Sequence, residues 1–229
     1  ELLDFKNKNR DLEIDYNSLG EKQRTPIKNQ LLLEQGYLCA YTLKRINFET
    51  SHIEHIKPEE LCRKEKKAGK ETISDLDYSN FVACYPKDFS GSSRKKFYGA
   101  FKKDDWWENE GENFISPLRV DCESHFKFKN DGTINHITDK GKNTIDVLNL
   151  NHDLLKEDRK RAIKNFIYYK NKPLNLSQTN QALESILSKN RNMHIEFCIA
   201  IKDALRDHLI LLDKNKKRNN IIAKALKKI

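Results

Sequence analysis

Cysteine is scarce in this sequence, and the few cysteines lack the pattern of a disulfide framework. Five of them are scattered along 229 residues. Secreted proteins that depend on disulfide bonds carry an even and more closely spaced set. We therefore expect a protein of a reducing cytoplasm. The five residues are Cys39, Cys62, Cys84, Cys122 and Cys198.

Long apolar runs are also missing. No segment approaches the roughly 20 consecutive apolar residues of a membrane-spanning helix. Residues 1–4 lack the basic and apolar regions that make up a secretory signal. We therefore expect no membrane association and no export.

Acidic residues are fewer than basic residues in this sequence. The chain has 43 lysines and arginines against 34 aspartates and glutamates, which gives a formal net charge of +9. Such a surface attracts polyanions such as nucleic acid. Charge alone does not identify the polyanion, because many lysine-rich proteins share this balance.

The first regular element predicted is an α-helix over 26–35. Thr25 suits the N-cap, Pro26 suits the first helical position and Gly36 suits the position after the end. A helix of this length buries one apolar stripe. The expected stripe consists of Ile27, Leu31 and Leu32.

Two short strands are predicted after this helix, over 46–56 and 76–84, because both segments are rich in aromatic and β-branched residues. The charged stretch between them, residues 59–70, is expected to be exposed, either as a helix or without regular structure. A short helix with one aromatic face is expected over 89–103.

The second half of the chain predicts a β-hairpin followed by helices. The hairpin is expected over 125–137, where alternating apolar and polar residues flank an Asn-Asp-Gly turn. Apolar residues then adopt a helical spacing. Residues 214–229 carry only basic ionisable side chains, which could face a phosphate backbone, an acidic partner or solvent alone. Helices are predicted near 152–171, 178–190 and 193–212, and Ser177 suits the N-cap of the second of these.

Polar residues are concentrated at the end of the first predicted strand. His52, Glu54 and His55 lie within a β-branched run that ends at Pro58. Each of these side chains is better solvated than packed on an apolar strand, so the cluster suggests chemistry. Ordinary strand-edge histidines paired with Glu54 are the alternative, and spacing alone does not separate the two interpretations.

Three segments of the sequence resemble the motifs of the HNH endonucleases. In that family a β-hairpin followed by a helix forms a ββα-metal site. The segments have the order and approximate spacing of the family pattern. They are Cys39-x-x-Thr42, Ile53-Glu54-His55-Ile56-x-Pro58 and Asn80-Phe81-x-x-Cys84-x-x-Lys87-Asp88.

This resemblance implies a role for four residues. His55 is implied to be the general base, and Glu54 a ligand of Mg²⁺ or Mn²⁺. Asn80 is implied to brace the backbone that presents the base. Asp88 lies four residues past Cys84, where the family carries histidine or asparagine, and it is either a further metal ligand or the N-cap of a helix.

The chemistry of phosphodiester cleavage fits these residue types. It requires a water activated near neutral pH and a cation on the phosphate oxygens. A histidine can act as the base, and a carboxylate can hold a Mg²⁺ that keeps most of its waters. Glu54 and His55 are adjacent and would face opposite sides of a regular strand. The site therefore requires the strand to end or twist here, as Pro58 favours, and His52 keeps at most a supporting role.

The zinc knuckle that many HNH proteins carry is incomplete in this chain. Two Cys-x-x-Cys pairs would hold a structural zinc ion. Here Thr42 and Lys87 stand at the second position of each pair, so only Cys39 and Cys84 remain. We predict no structural zinc, with both thiols packed as small core residues.

Basic side chains near the motifs are predicted to bind phosphates of nucleic acid. Trp106 and Trp107 are more typical of structural packing than of base stacking, and both interpretations stay open. The predicted phosphate-binding residues are Lys57, Lys87, Arg94, Lys95 and Lys96.

Most of the chain is similar, more narrowly, to the HNH proteins of retron and Septu-type anti-phage systems. That similarity implies an effector nuclease in a bacterial cytoplasm. It also implies an ABC-type ATPase as partner and, in some systems, a reverse transcriptase with its RNA–DNA product. Glu59 departs from the pattern, because family members usually carry lysine there. The shared motifs are Tyr37-x-Cys39-Ala-Tyr41, His52-Ile-Glu-His55, Tyr78-x-Asn80, Ser116-Pro117-Leu118 and Ile145-x-x-Leu148-Asn149-Leu150-Asn151.

We therefore predict an α+β protein with a ββα-metal (HNH) core, an added β-hairpin and a mainly α-helical C-terminal region. The nuclease module is expected to span 1–141, and a helical extension with a basic tail is expected over 142–229. The predicted function is metal-dependent cleavage of nucleic acid. The alternative is a nucleic-acid-binding or assembly subunit that keeps the fold but has lost the site.

Overall fold

The computed structural model describes residues 2–70, 72–87, 98–108, 111–169 and 171–226. These residues form a mixed structure of α-helices and three two-stranded antiparallel sheets. The α+β class predicted from the sequence is therefore confirmed. The helices are α1 (Leu2–Lys8), α2 (Glu21–Glu34), α3 (Glu59–Lys67), α4 (Ala100–Lys103), α5 (Asp139–Val147), α6 (Asp153–Ile167), α7 (Leu176–Ser185) and α8 (Cys198–Leu226).

The strands pair as three separate antiparallel sheets of two strands each, and helix α3 lies between the two strands of the first sheet. Short 3₁₀ helices at Tyr78–Asn80 and Cys122–His125 lie directly before the second and third strands. The strands are β1 (His52–His55) with β2 (Phe81–Cys84), β3 (Phe126–Phe128) with β4 (Ile134–His136), and β5 (Tyr168–Tyr169) with β6 (Lys172–Pro173).

Helix α2 begins five residues before its predicted start. Gly20 is the N-cap, and its N–H donates to the side-chain oxygen of Gln23. Pro26 lies inside the helix, where it cannot donate a backbone hydrogen bond. The predicted N-cap at Thr25 was therefore wrong, because Gly20 and Gln23 already close the first turn of the helix ahead of it. The predicted buried stripe of Ile27, Leu31 and Leu32 is confirmed.

Strand β1 is much shorter than the run predicted over 46–56. Asn47 and Thr50 close a turn, in which the Thr50 N–H donates to Asn47 Oδ1 at 2.9 Å. That turn ends the extended run before β1 starts. Opposite β1, the 76–84 segment contributes a 3₁₀ turn and then β2, so only its second half is a strand.

The charged stretch between the two strands forms helix α3, which is one of the two predicted alternatives. Pro58 is its N-cap and its last turn is basic. Cys62 is buried on its inner face, and Lys64 and Lys67 are exposed.

The predicted hairpin over 125–137 is confirmed as β3 and β4. Gly132 in its turn has a φ of +85°, and a Cβ atom there would come within 2.0 Å of the Lys156 backbone oxygen. Only glycine fits between the turn and α6. The hairpin therefore packs closely on the C-terminal helices.

The C-terminal helices differ from the prediction at their ends. Helix α6 stops at Ile167, because Tyr168–Tyr169 pairs with Lys172–Pro173 as β5 and β6. Helix α7 is capped by the Asn175 side chain rather than by Ser177. The predicted third helix continues without a break to residue 226, so α8 includes most of the basic tail.

Arg45 connects the end of α2 to the segment before α8. Its guanidinium donates to the carbonyl oxygens of Gly36 at 3.0 Å, Tyr37 at 3.1 Å and His194. The His194 N–H in turn donates to the Gly36 oxygen at 3.0 Å. This cluster fixes two distant parts of the chain against each other.

One cluster of buried apolar residues extends from Leu19 to Leu205. Its members come from both sides of the predicted domain boundary at residue 141, which itself stays a prediction. Among the described helices, none is long and apolar enough to cross a bilayer. The β1–β2 hairpin, which carries the candidate site, lies against α2 at the centre of this cluster.

Candidate active site

His55 is the last residue of β1, and its imidazole is almost completely buried. The ring is 8% exposed and packs edge-on against Tyr16 and Phe81, with centroid distances of 4.5 and 4.9 Å. Its Nε2 atom is 2.9 Å from the Asp75 carbonyl oxygen. These contacts on three sides fix the orientation of the imidazole.

The hydrogen bond to Asp75 also fixes the tautomer of His55. A carbonyl oxygen can only accept, so Nε2 carries the proton and Nδ1 keeps its lone pair. Burial lowers the pKa of His55 and outweighs the opposite effects of the Asp75 carbonyl and of the carboxylates of Glu59 and Glu54. His55 is therefore neutral near pH 7 and can accept a proton at Nδ1.

The side chain of Glu54 contacts a different part of the protein from that of His55. Its Oε1 is 3.3 Å from Lys103 Nζ, and its Oε2 is 3.4 Å from His52 Nε2. The strand does end at His55, as the predicted site requires, but neighbouring side chains still alternate. The structure thus brings Glu54 beside His52 and Lys103, and it does not show a contact between the side chains of Glu54 and His55.

His52 supports Glu54 from the same face of β1. Its Nδ1 contacts the Pro86 carbonyl oxygen and its Nε2 contacts the Glu54 carboxylate. Burial lowers the pKa of His52, but the hydrogen bond and charge of Glu54 raise it more, so the net pKa is above the ordinary value. Each ring nitrogen of His52 thus faces an oxygen that can only accept a hydrogen bond, and this arrangement suits an imidazole with a proton on both nitrogens.

Asn80 braces the backbone directly after His55. Its Oδ1 accepts from the Lys57 N–H at 2.8 Å, and its Nδ2 donates to the Lys57 oxygen at 3.0 Å. The Asn80 carbonyl accepts from the Ile56 N–H at 2.9 Å. These bonds lie where the predicted bracing role requires them, and the catalytic consequence stays a prediction.

The two described lysines predicted to bind phosphate both have carboxylate partners. Lys57 Nζ pairs with Glu65 and donates to Thr72 Oγ1 at 2.6 Å. Lys87 Nζ pairs with Glu49 at 3.0 Å on the exposed surface. A phosphate contact would require Lys57 to leave a partly buried pair, whereas Lys87 would lose only a weak surface pair. The other predicted residues, Asp88, Arg94, Lys95 and Lys96, lie outside the described residues.

The cysteines at the zinc-knuckle positions come together in the core. Cys39 and Cys84 are fully buried, and Cys39 Sγ accepts from the Tyr85 N–H at 3.4 Å. Burial raises the pKa of Cys39, but hydrogen bonds from Cys84 and Thr42 lower it more. Thr42 thus serves Cys39 as a hydrogen-bond donor. The thiols of Cys39 and Cys84 provide only two of the four ligands of a structural zinc site.

The donor set at β1 is compatible with a hydrated magnesium ion. Within the described ranges, no group of three histidine, cysteine, aspartate or glutamate side chains could hold a metal. Mg²⁺ is commonly bound by one or two carboxylates while it keeps several waters. The Glu54 carboxylate meets this minimum, and the predicted Asp88 would add a second oxygen ligand.

Lys103, at the end of α4, is a site residue that the sequence did not reveal. It is 1% exposed, and its Nζ is 3.3 Å from Glu54 Oε1 and 3.2 Å from the His55 carbonyl oxygen. In the sequence it is one lysine among many. Only its burial distinguishes it, and burial here depends on a contact 49 residues away in the chain.

An open cavity of about 650 Å³ is lined by residues that follow β1 and α4 in the chain. Trp107 forms part of its wall and packs on Gly111, where a Cβ atom would come within 2.4 Å of the indole. Trp106 instead packs near Phe114, with ring centroids 6.1 Å apart. The remaining lining residues are Pro58, Glu60, Leu61, Arg63, Lys64, Lys67 and Asp105.

Comparison with known proteins finds a relative among the curated sequences. The chain is 32% identical over 152 residues to a protein of Vibrio cholerae serotype O1 biovar El Tor named "Retron Vc95 putative HNH endonuclease". The match covers 62% of this chain and 65% of that protein. No family model matches the chain.

Proposed function

Similarity to this named relative supports membership of the HNH endonuclease family, and on that premise we propose that the chain is a metal-dependent endonuclease. The observation that carries the proposal is His55 itself. Its ring is held by a backbone carbonyl at Nε2, is neutral near pH 7 and keeps Nδ1 for a proton. This is the state that a general base requires.

The proposed reaction is hydrolysis of a phosphodiester bond. His55 Nδ1 takes a proton from a water whose oxygen attacks the phosphorus. The bond from phosphorus to the leaving sugar oxygen breaks, and that oxygen takes a proton from solvent. A Mg²⁺ or Mn²⁺ ion held by Glu54, with help from Asp88, would supply positive charge to the phosphate oxygens. Asn80 keeps the end of β1 rigid during the reaction through its bonds to Lys57.

The open cavity beside Pro58 supports a path for the nucleic acid. Lys64 and Lys67 are exposed on one wall, and Trp107 offers an aromatic surface on another. Lysines bind phosphates and aromatic rings stack on bases. Nucleic acid bound in this cavity would contact Pro58, which lies three residues after the end of β1.

A nuclease assay with a matched histidine control tests this function. Plasmid, single-stranded DNA and tRNA are incubated with wild type, His55→Ala and His136→Ala, each with Mg²⁺. We expect His55→Ala to lose at least about 100-fold in rate, as is usual for loss of a general base. His136 is exposed on β4, so its substitution should leave the rate unchanged. Full cleavage by a folded His55→Ala protein would contradict the proposal.

The alternative function is a nucleic-acid-binding or assembly subunit without cleavage. The observation that favours it is that Lys103 and His52 already pair with Glu54, and Glu65 pairs with Lys57. Binding of nucleic acid by wild type, with no cleavage of any substrate at any divalent cation concentration, would support this alternative.

We also propose that the protein is an effector of a bacterial anti-phage system of the retron or Septu type. The name of the relative supports the retron context. The proposed partners are an ABC-type ATPase and, in a retron, a reverse transcriptase with its RNA–DNA product. Co-purification of a neighbouring ATPase with the tagged protein, and cleavage that depends on it, would test the assembly.

A further inference from the structure

We propose that Lys103 competes with the divalent cation for the Glu54 carboxylate, so that metal and nucleic acid bind together rather than metal first. This inference rests on the proposed function and adds a positioning residue to it. Its basis is the geometry of the Lys103 amine and the charge balance around Glu54.

The Lys103 amine is enclosed by oxygen atoms. Its Nζ lies 3.3 Å from Glu54 Oε1, 3.2 Å from the His55 carbonyl oxygen and 3.4 Å from the Asp104 carbonyl oxygen. An ammonium group has three N–H bonds and no acceptor, so three oxygens match its donors one to one. A lysine that is 1% exposed is stable only with such partners.

The backbone places this side chain with little freedom. Helix α4 is four residues long and follows Gly99, whose φ is +70°. The Lys103 N–H donates back to the Gly99 oxygen at 3.1 Å, and Asp104 leaves the helix with a φ of +46°. The amine therefore reaches the end of β1 from one fixed direction, and it holds both the Glu54 side chain and the His55 main chain.

The charge balance then determines when a metal can bind. Without metal, the single negative charge of Glu54 is matched by the Lys103 ammonium on one oxygen, and its other oxygen is 3.4 Å from His52 Nε2. A divalent cation at the same carboxylate would lie a few ångströms from the Lys103 ammonium, and such repulsion is strong in a buried site. The negative charge of a phosphate group beside the metal would offset this repulsion. The site is thus weak for metal alone and stronger for metal with nucleic acid.

Mn²⁺ titration of the nucleic-acid-free protein tests this inference. Wild type, Lys103→Met and Lys102→Met are titrated with MnCl₂ by calorimetry. Lys103→Met removes the competing charge and keeps an apolar side chain of similar length, so we expect its dissociation constant for Mn²⁺ to fall at least ten-fold. Lys102 is the exposed neighbour on α4, and its substitution should leave the constant unchanged. Lys103→Arg keeps the charge and should bind Mn²⁺ as weakly as wild type.

A second measurement avoids dependence on the folding of Lys103→Met. The cleavage-deficient His55→Ala protein is titrated with Mn²⁺ with and without a short DNA duplex, and the duplex alone is the blank. We expect at least ten-fold tighter Mn²⁺ binding in the presence of the duplex. Equal affinity with and without DNA, or unchanged or weaker Mn²⁺ binding by folded Lys103→Met, would overturn the role of Lys103 and leave the proposed nuclease function standing. Absence of Mn²⁺ binding in every protein, with or without DNA, would overturn both.

Discussion

Among the residues that the structure describes, Arg159 is the largest fully buried side chain, and it is held by main-chain oxygens rather than by a carboxylate in direct contact. Its Nε donates to the Gly132 oxygen at 2.6 Å, and its Nη2 donates to the Leu150 oxygen at 2.7 Å. Burial lowers its pKa to about 10, although the more distant carboxylates of Asp158 and Asp131 oppose the shift. Arg159 therefore joins the β3–β4 turn, the end of α5 and helix α6.

Replacement of Arg159 by methionine should destabilise the fold. The substitution leaves two buried carbonyl oxygens without a donor, and we expect a loss of about 2–4 kcal/mol in the free energy of unfolding. The control is Arg161→Met, whose side chain is 70% exposed and pairs with Asp158 on the surface. Its loss should stay below about 1 kcal/mol. Urea denaturation of both variants measures the difference, and equal losses would contradict the role given to Arg159.

Some residues of the candidate site could be placed from the sequence because they belong to local motifs. Glu54 and His55 lie on the predicted first strand, whereas Asn80 ends the 3₁₀ helix before β2 instead of lying on the strand predicted over 76–84. Asp75 and Lys103 could not be located, since each contacts the end of β1 from a distant part of the chain. A contact between residues so far apart in the chain produces no recognisable pattern in the local sequence.

At the scale of elements, the β3–β4 turn should not tolerate a side chain at residue 132. Gly132→Ala places a Cβ atom 2.0 Å from the Lys156 backbone oxygen at a positive φ. The matched control is Gly69→Ala, which has a φ of +70° and no atom within 4 Å of its Cβ. Both variants incur a backbone cost of about 1 kcal/mol, and only Gly132→Ala must also move α6.

Thermal and urea denaturation can separate the cost of backbone strain from the cost of displacing α6. We expect the free energy of unfolding of Gly132→Ala to fall at least about 2 kcal/mol further than that of Gly69→Ala. If the two variants were equally stable, close packing between the turn and α6 would be refuted.

Strong sequence patterns predicted the presence of secondary-structure elements correctly. Weaker patterns led to wrong positions for the ends of several helices. The Asn-Asp-Gly turn identified the hairpin, and apolar spacing identified the buried face of α2. The starts of α2 and α7 were wrong, because Thr25 and Ser177 have the side chains of N-caps but lie inside helices. The end of α6 was wrong because a two-residue strand pair carries almost no sequence pattern.

For the whole molecule, the net charge of +9 should make nucleic-acid binding sensitive to salt. Lys64 and Lys67 line the cavity, and we expect their double substitution by glutamine to weaken binding and to reduce the salt slope by about 1.5–2. Lys129→Gln with Lys140→Gln removes the same charge from exposed positions outside this cavity.

Fluorescence anisotropy of a labelled oligonucleotide across a range of salt concentrations measures both slopes. The control pair should change the slope by less than half as much as the Lys64 and Lys67 pair. Equal effects of the two pairs would show that binding depends on overall charge and not on the cavity.

The contacts of Arg45 have a consequence for the order in which the chain folds. Arg45 and His194 are 149 positions apart in the sequence, so their contact closes a very long loop. Local hairpins and helices form before such a loop can close, because loop closure carries a large entropy cost. The junction between α2 and α8 therefore forms late, and substitutions there should accelerate unfolding far more than they slow folding.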